Sequence, residues 1–182
     1  MDKVRPAVFL DRDGVLTVEE KRIVHPAQVK LYKDAAENVR RLKDKGFLVI
    51  VISNQSGVAR GLFSEEELCK LHDRLKSETG VDGIYYCPHH LEGAVKEYAI
   101  ECDCRKPKTG MIDKARADHS IDMSRSWMVG DRESDILTGR NAGIRTILVR
   151  AGYGEDDIKR GVSADVVLDD LSTAVDYIIR NT

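Results

Sequence analysis

The stretch VFLDRDGVL, Val8 to Leu16, places Asp11 and Asp13 two positions apart where an apolar run ends. A strand leaving a hydrophobic core ordinarily turns on Gly, Asn or Ser, whose backbones and short side chains suit a turn. Here it ends in two like charges with Arg12 between them. Along an extended chain residues i and i+2 point the same way, so both carboxylates face one spot. Two carboxylates that close repel, and one pKa rises unless a cation lies between them. A hard cation such as Mg2+ takes oxygen ligands, keeps several waters, and needs only one or two carboxylates.

The apolar, β-branched texture of this stretch recurs. Strands are predicted at 7–11 (AVFLD), 47–53 (FLVIVIS), 83–87 (GIYYC), 126–131 (SWMVGD), 146–150 (TILVR) and 165–168 (DVVL). Near-continuous hydrophobic runs, rather than alternating ones, suit strands covered on both faces of a parallel sheet. Helix-like patterns lie between them. Asp34, with Glu37 three residues on, reads as a cap, and Gly46 follows the end of a helix whose inward stripe is Ala35, Val39 and Leu42. In SEEELCKLHDRL, Ser64 and Glu67 form a second capping box, and Leu68, Leu71 and Leu75 share a face. Further helices are predicted at 109–118, 134–141 and 171–180. The alternation predicts one α/β domain over 1–182, a doubly wound, Rossmann-like parallel sheet.

Two segments, 17–33 and 88–108, carry no such pattern. Each follows a strand, and loops after parallel strands lie at the carboxyl edge of the sheet, where ligands bind. Neither is long enough for a separate cap domain, so little or no cap is expected.

Composition narrows the partners. The 182 residues carry a formal net charge of -2, and no basic stretch runs beyond a few residues, which gives no support to nucleic-acid binding. No apolar run approaches the ~18 residues of a membrane span, and MDKVRPAVFLD lacks a signal-peptide core. The expectation is a cytoplasmic monomer with neither a membrane nor a nucleic-acid partner.

Three further strand ends hold polar clusters that this architecture brings to the same edge. GDRESD offers Asp131 and Asp135, and Asp131 is placed to complete the ligands of a metal held by Asp11. A single acidic turn reads equally as a helix cap, but two at the ends of hydrophobic strands weaken that reading. Ser53, Asn54, Gln55, Ser56 and Gly57 follow the second strand, where hydroxyl and backbone N–H groups suit phosphate oxygens. They are also ordinary turn residues. CRKPKTG supplies Arg105, Lys106 and Lys108, which suit a phosphoryl group or else a solvated basic loop.

Of the four cysteines, Cys87, Cys102 and Cys104 lie close together beside His89 and His90. With His89 or His90 they make up a Cys3His set for a structural zinc ion, closed to chemistry, in a loop spanning about 87–104. Three buried cysteines, or a redox pair at Cys102 and Cys104, are the alternatives. A zinc knuckle here would fix the loop that carries Arg105 and Lys106. Cys69 falls within a helix pattern and reads as a packing residue. His25, His72 and His119 have no evident partners.

Together the DxDG motif, the serine after the second strand, the basic third motif and the GDxxxD fourth resemble the haloacid dehalogenase-like phosphatases, across about residues 7 to 150. The resemblance implies that Asp11 is the nucleophile, forming an aspartyl phosphate, and that Asp13 is the general acid and then the base. It implies Mg2+ held by Asp11, the backbone carbonyl of Asp13, and Asp131, with Ser53 and Lys106 stabilising the phosphoryl oxygens and Asp135 orienting its neighbours. CPHH, CDCRKP and NQSGVARG narrow it to the zinc-containing branch of D-glycero-D-manno-heptose 1,7-bisphosphate phosphatases and histidinol-phosphate phosphatases. NQSGVARG and the doubled histidine look more like the heptose enzymes, which serve lipopolysaccharide or S-layer glycan synthesis. The substrate implied is a small phosphorylated sugar or polyol, with Asn54, Gln55, Ser56, Arg60, Arg105 and Arg132 in contact with it. The loop TVEEKRIVHPAQ departs from the heptose-type segment, and Arg132 stands where a lysine is common. A phospho-acceptor module with little turnover, or a zinc-ribbon adaptor, are readings from other classes. The first leaves Asp13 without a task and the second leaves both acidic clusters without one.

Overall fold

A computed structural model describes residues 4–20 and 25–182. Among them are strands β1 (Arg5–Leu10), β2 (Leu48–Asn54), β3 (Gly83–Cys87), β4 (Ile121–Gly130), β5 (Arg145–Val149) and β6 (Val166–Leu168). The helices are α1 (Ala35–Asp44), α2 (Glu65–Thr79), α3 (Gly110–Asp118), α4 (Glu133–Asn141), α5 (Gly154–Lys159) and α6 (Leu171–Arg180). The strands form one sheet in the order β3-β2-β1-β4-β5-β6, every neighbouring pair parallel. The chain leaves β1 toward β2 on one side and returns to β4 on the other. β1 and β4 therefore flank the switch point at which such sheets bind ligands.

Both faces are covered, as the continuous hydrophobic runs require. Val8 and Leu10 of β1 pack with Val49, Val51, Val129 and Ile147 beneath Ala35, Val39 and Leu42 of α1 and Ala174, Val175 and Ile178 of α6. Ala7 and Phe9 point the other way, with Ile50, Ile52 and Met128, against Met111, Ile112 and Ala115 of α3. The period-2 alternation of a strand thus divides each run between two cores.

Four local features differ from the sequence reading. Asp34 makes no capping hydrogen bond. Its Oδ2 instead accepts from Asn38 Nδ2 (3.0 Å) and from Ser172 Oγ (2.6 Å), which ties α1 to α6. The Ser64–Glu67 capping box of α2 does form. Strand β4 begins five residues before the predicted start, because Ile121 and Asp122 pair with Arg5 and Pro6 before the register shifts. Ser126 bridges the shift, accepting the Ala7 N–H at 2.9 Å and donating to the Asp122 carbonyl at 2.6 Å. Helix α5 has no apolar stripe and carries no sequence signal; Asp157 anchors it by accepting the Glu133 N–H at 2.6 Å. Cys69, expected to pack, is exposed on α2. Among the described residues, the segment after β1 holds nothing longer than one 3-10 turn, Pro26–Gln28. Residues 21–24, inside the departing TVEEKRIVHPAQ loop, lie outside the described ones.

Candidate active site

Asp11 is the first residue beyond β1, and its N–H donates to the carbonyl of Val129 in β4 (2.9 Å). Asp131 is the first residue beyond β4, so neighbouring strands deliver the two carboxylates side by side. Asp135 follows in the first turn of α4 and accepts the Arg132 N–H at 3.0 Å. Carboxylate oxygens of Asp11, Asp131 and Asp135 all lie within 4.8 Å of one another, and all three residues are buried. Burial, with Asp135 and Asp13 adding to it against the pull of Lys106, raises the Asp11 pKa to about 7. Burial and the charges of Asp11 and Asp135 raise Asp131 to about 8.

The packing around Asp131 is close. A Cβ on Gly14 would stand 2.3 Å from Asp131 Oδ2, and one on Gly152 would stand 2.1 Å from it. Both glycines have positive φ, so this wall of the site has room for neither another side chain nor another backbone shape. Asp131 Oδ2 accepts the Tyr153 N–H at 2.8 Å, while Oδ1 is buried with no hydrogen-bond partner. An orphaned buried carboxylate oxygen among two more carboxylates fits a hard divalent cation. Asp11 and Asp131 are both expected ligands, and Asp135 stands within the same cluster. The Asp13 carboxylate does not: it turns to Arg12.

Lys106 reaches the cluster from the loop before α3. Its ammonium is 2.6 Å from Asp11 Oδ1, 2.6 Å from Asp135 Oδ1 and 3.1 Å from the Ile52 carbonyl. Burial opposes the charge, but the two carboxylates outweigh it and hold the group cationic. The side chain of Asn54, at the end of β2, accepts the Lys106 N–H (3.0 Å) and donates to the Lys106 carbonyl (3.2 Å). Asn54, expected to contact substrate, lines the cavity and also uses its amide on the backbone of the lysine. Gln55 lies behind Ser53 rather than on the cavity wall, donating to Ser53 Oγ (2.7 Å) and to Asp13 Oδ2 (3.0 Å). Lys108 turns away from the site, to Glu101 (3.2 Å) and the Cys102 carbonyl (2.8 Å), and is not available to a phosphoryl group there.

Above these residues opens a cavity of about 500 Å3, lined by Asp11, Asp13, Ser53, Ser56 and Lys106 and by Arg60, Arg105 and Arg132. The three arginines are separately braced. Arg105 Nη1 donates to the His89 carbonyl (3.0 Å), Arg60 Nη2 to His90 Nε2 (3.3 Å), and the Arg132 guanidinium stacks 3.5 Å over the Tyr153 ring. Two wall residues were not expected there: Glu19, which carries no sequence signal, and His90, which the sequence offered only as an alternative zinc ligand. Glu19, in the loop after β1, has a raised pKa, mainly from burial and the nearby Asp13 charge. Burial and the charges of Arg105 and Arg60 lower the His90 pKa.

Beside the cavity, Cys87, His89, Cys102 and Cys104 gather their donor atoms within 4.8 Å of one another. Cys87 and Cys102 sulfurs are 3.5 Å apart, Cys102 and Cys104 sulfurs 3.4 Å, and His89 Nδ1 is 3.4 Å from Cys104 Sγ and 3.8 Å from Cys87 Sγ. Zinc–sulfur bonds of about 2.3 Å in a tetrahedron give edges of about 3.8 Å, so the four donors fit one zinc ion. His89 rather than His90 belongs to the set, since His90 faces the arginines.

A family model described as HAD-hydrolase-like, after haloacid dehalogenase, matches residues 103–174. The chain is 41% identical to the D-glycero-beta-D-manno-heptose-1,7-bisphosphate 7-phosphatase of Haemophilus ducreyi, over 96% of this chain and 98% of that protein. It is 42% identical to the enzyme of the same name from Vibrio cholerae, over 97% of each. Its fold matches the crystal structure of a D,D-heptose 1,7-bisphosphate phosphatase from B. bronchiseptica complexed with magnesium and phosphate, with a TM-score of 0.83, 29% identity, and 97% and 99% of the two chains covered. Identity above 40% along nearly the whole of both partners exceeds what a shared module would give: the chain belongs to the D-glycero-D-manno-heptose-1,7-bisphosphate 7-phosphatase family of haloacid dehalogenase-like phosphatases.

Proposed function

We propose that this phosphatase removes the 7-phosphate of D-glycero-D-manno-heptose 1,7-bisphosphate through an aspartyl phosphate on Asp11. The observation that carries the reading is the joint placement of Asp11, Asp135 and Lys106 on the floor of a cavity rimmed by three arginines, with Asp131 in the same carboxylate cluster just beneath. An acidic floor with one buried cation takes a phosphoryl group only with a further cation, whereas the rim suits a second, remote phosphate or sugar hydroxyls. Asp11, Asp131 and the Asp13 backbone carbonyl would hold Mg2+, with Asp135 at the edge of the set. Bound there, Mg2+ offsets the repulsion between the Asp11 carboxylate and the incoming phosphoryl oxygens. Cys87, His89, Cys102 and Cys104 would hold a structural Zn2+.

The protein's own groups then divide the work. An Asp11 oxygen forms the bond to phosphorus as the bond from phosphorus to the sugar oxygen breaks. Asp13 gives that oxygen a proton, then takes one from the water that cleaves the aspartyl phosphate. Lys106 faces the equatorial oxygens. Ser53 Oγ already accepts from Gln55, which leaves its own O–H to donate into the cavity.

Asp11→Asn tests the reading. Phosphate release should vanish while the circular dichroism spectrum stays that of the parent, and a variant keeping most of its activity would end the nucleophile assignment. The substrate is tested by comparing kcat/KM for both anomers of the heptose bisphosphate with that for histidinol phosphate. The Glu19 carboxylate on the cavity wall suits an ammonium group, which makes histidinol phosphate the informative competitor. Dominant turnover of that amine would overturn the sugar assignment.

A further inference from the structure

Asp13 is caged. Its Oδ1 accepts from Arg12 Nε (2.9 Å) and Thr17 Oγ1 (3.0 Å), and its Oδ2 from Arg12 Nη2 (2.9 Å) and Gln55 Nε2 (3.0 Å). A carboxylate offers about four lone-pair sites, so in this state the anion is held at every site. Against the effect of burial, Arg12 keeps its pKa below the ordinary range. To carry the proton it later gives, the carboxyl must release one of these contacts, and its side chain borders the cavity where that proton goes. The dominant partner is the fork of Arg12, two parallel bonds that fix direction as well as distance. Arg12 is only 2% exposed, although arginine is almost never fully buried unless paired.

The third guanidinium nitrogen has a partner of its own. Arg12 Nη1 lies 3.2 Å from Nε2 of His72, which sits on the buried side of α2 with its ring 5.0 Å from that of Tyr86. A guanidinium only donates, so His72 Nε2 must accept and the ring proton must sit on Nδ1. Burial and the Arg12 charge both push His72 toward the neutral form that can accept. Arg12 and His72 are 60 residues apart in the chain, and neither has another task in the mechanism.

We propose that His72 and Arg12 are positioning residues for proton transfer: His72 fixes the guanidinium, and the guanidinium aims the Asp13 carboxyl at the leaving oxygen. The inference rests on the reading of Asp13 as the proton donor. It makes α2, which contributes nothing to the cavity wall, a determinant of the chemical step.

A leaving-group comparison tests it. An alkoxide leaving from a sugar phosphate needs a proton, whereas nitrophenolate leaves without one. A loss of positioning therefore slows the first ester more than the second, and a merely structural defect slows both alike. The measurement is the single-turnover rate of leaving-group release, with enzyme in excess, from the heptose bisphosphate and from p-nitrophenyl phosphate. Asp13→Asn should lose about a hundredfold or more on the sugar ester, the usual range for general acid catalysis, and little on the aryl ester. Arg12→Lys and His72→Leu should lose about tenfold or more on the sugar ester and less than about threefold on the aryl ester, part of the same range. His72→Gln, whose Oε1 can accept where Nε2 did, should recover most of the sugar rate. If Arg12→Lys does not fold, the His72 pair carries the test alone. Equal losses on both esters, or a parental sugar rate in His72→Leu, would overturn the inference. An Asp13→Asn variant with no difference between the esters would instead remove the proton-donor reading beneath it.

Discussion

Lys106 Nζ lies 2.6 Å from Asp11 Oδ1, across 95 residues of chain. The same ammonium is 2.6 Å from Asp135 Oδ1, so one buried cation holds the first and fourth strand-end motifs together. Removing one partner from a buried ion pair costs about 3–5 kcal/mol, because the charge left behind has no water to return to.

Lys106→Met should therefore lower kcat by about a hundredfold or more, the scale of a lost oxyanion donor, and lower Tm as well. The two orphaned carboxylates can escape the penalty by taking up protons. The Tm deficit of the variant should be larger at pH 8 than at pH 5, and a deficit independent of pH would show that the carboxylates do not feel this cation.

Metal removal should leave a distinct pH signature. Asp11 is raised to about 7 and Asp131 to about 8, both above the ordinary 3.8. Carboxyl groups raised in the folded state stabilise it while protonated. That contribution is full below about pH 4 and is lost as the pH climbs through 7 to 8. The metal-free protein should lose Tm over this window. A divalent cation must displace the same protons, so added Mg2+ should raise Tm more at pH 8 than at pH 5.5. At a hundredfold excess over Kd the gain is about 2.7 kcal/mol. Equal gains at both pH values would place the cation away from these carboxylates.

The sulfur cluster has its own assay. Protein purified without chelator should carry about one zinc per chain, the content of a single tetrahedral site. Cys102→Ser should lose that zinc and lower Tm. It should also reduce kcat/KM, because the His89 carbonyl steadies Arg105 at 3.0 Å. Full zinc content in Cys102→Ser would remove that cysteine from the ligand set.

The sequence revealed what burial dictates. Strands β1 and β2 are hydrophobic on both faces, so their texture and their charged ends can be read without coordinates, and Asp11 and Asp131 with them. It did not reveal the first half of β4, whose polar residues pair at the edge of the core, nor α5, whose GEDDIK has no apolar stripe. Three cations crowd the RKPK segment, and composition does not say which turns inward. Asn54 decides it by holding Lys106, while Lys108 finds Glu101. The pairing of Arg12 with His72 has no periodic trace, since it joins a turn to a helix through one side-chain contact. Glu19 was equally silent, because nothing local fixes where a loop side chain points.

The grip of Asn54 on Lys106 has a consequence for how such a site can change. One amide side chain meets both the N–H and the carbonyl of a single residue, as a neighbouring strand would. The lysine therefore takes its address from the sheet, while the sulfur-bearing loop before it only has to arrive there. Insertions or substitutions across that loop can reshape the rim, and with it the choice of sugar, while the charge that meets the phosphoryl group stays where β2 puts it.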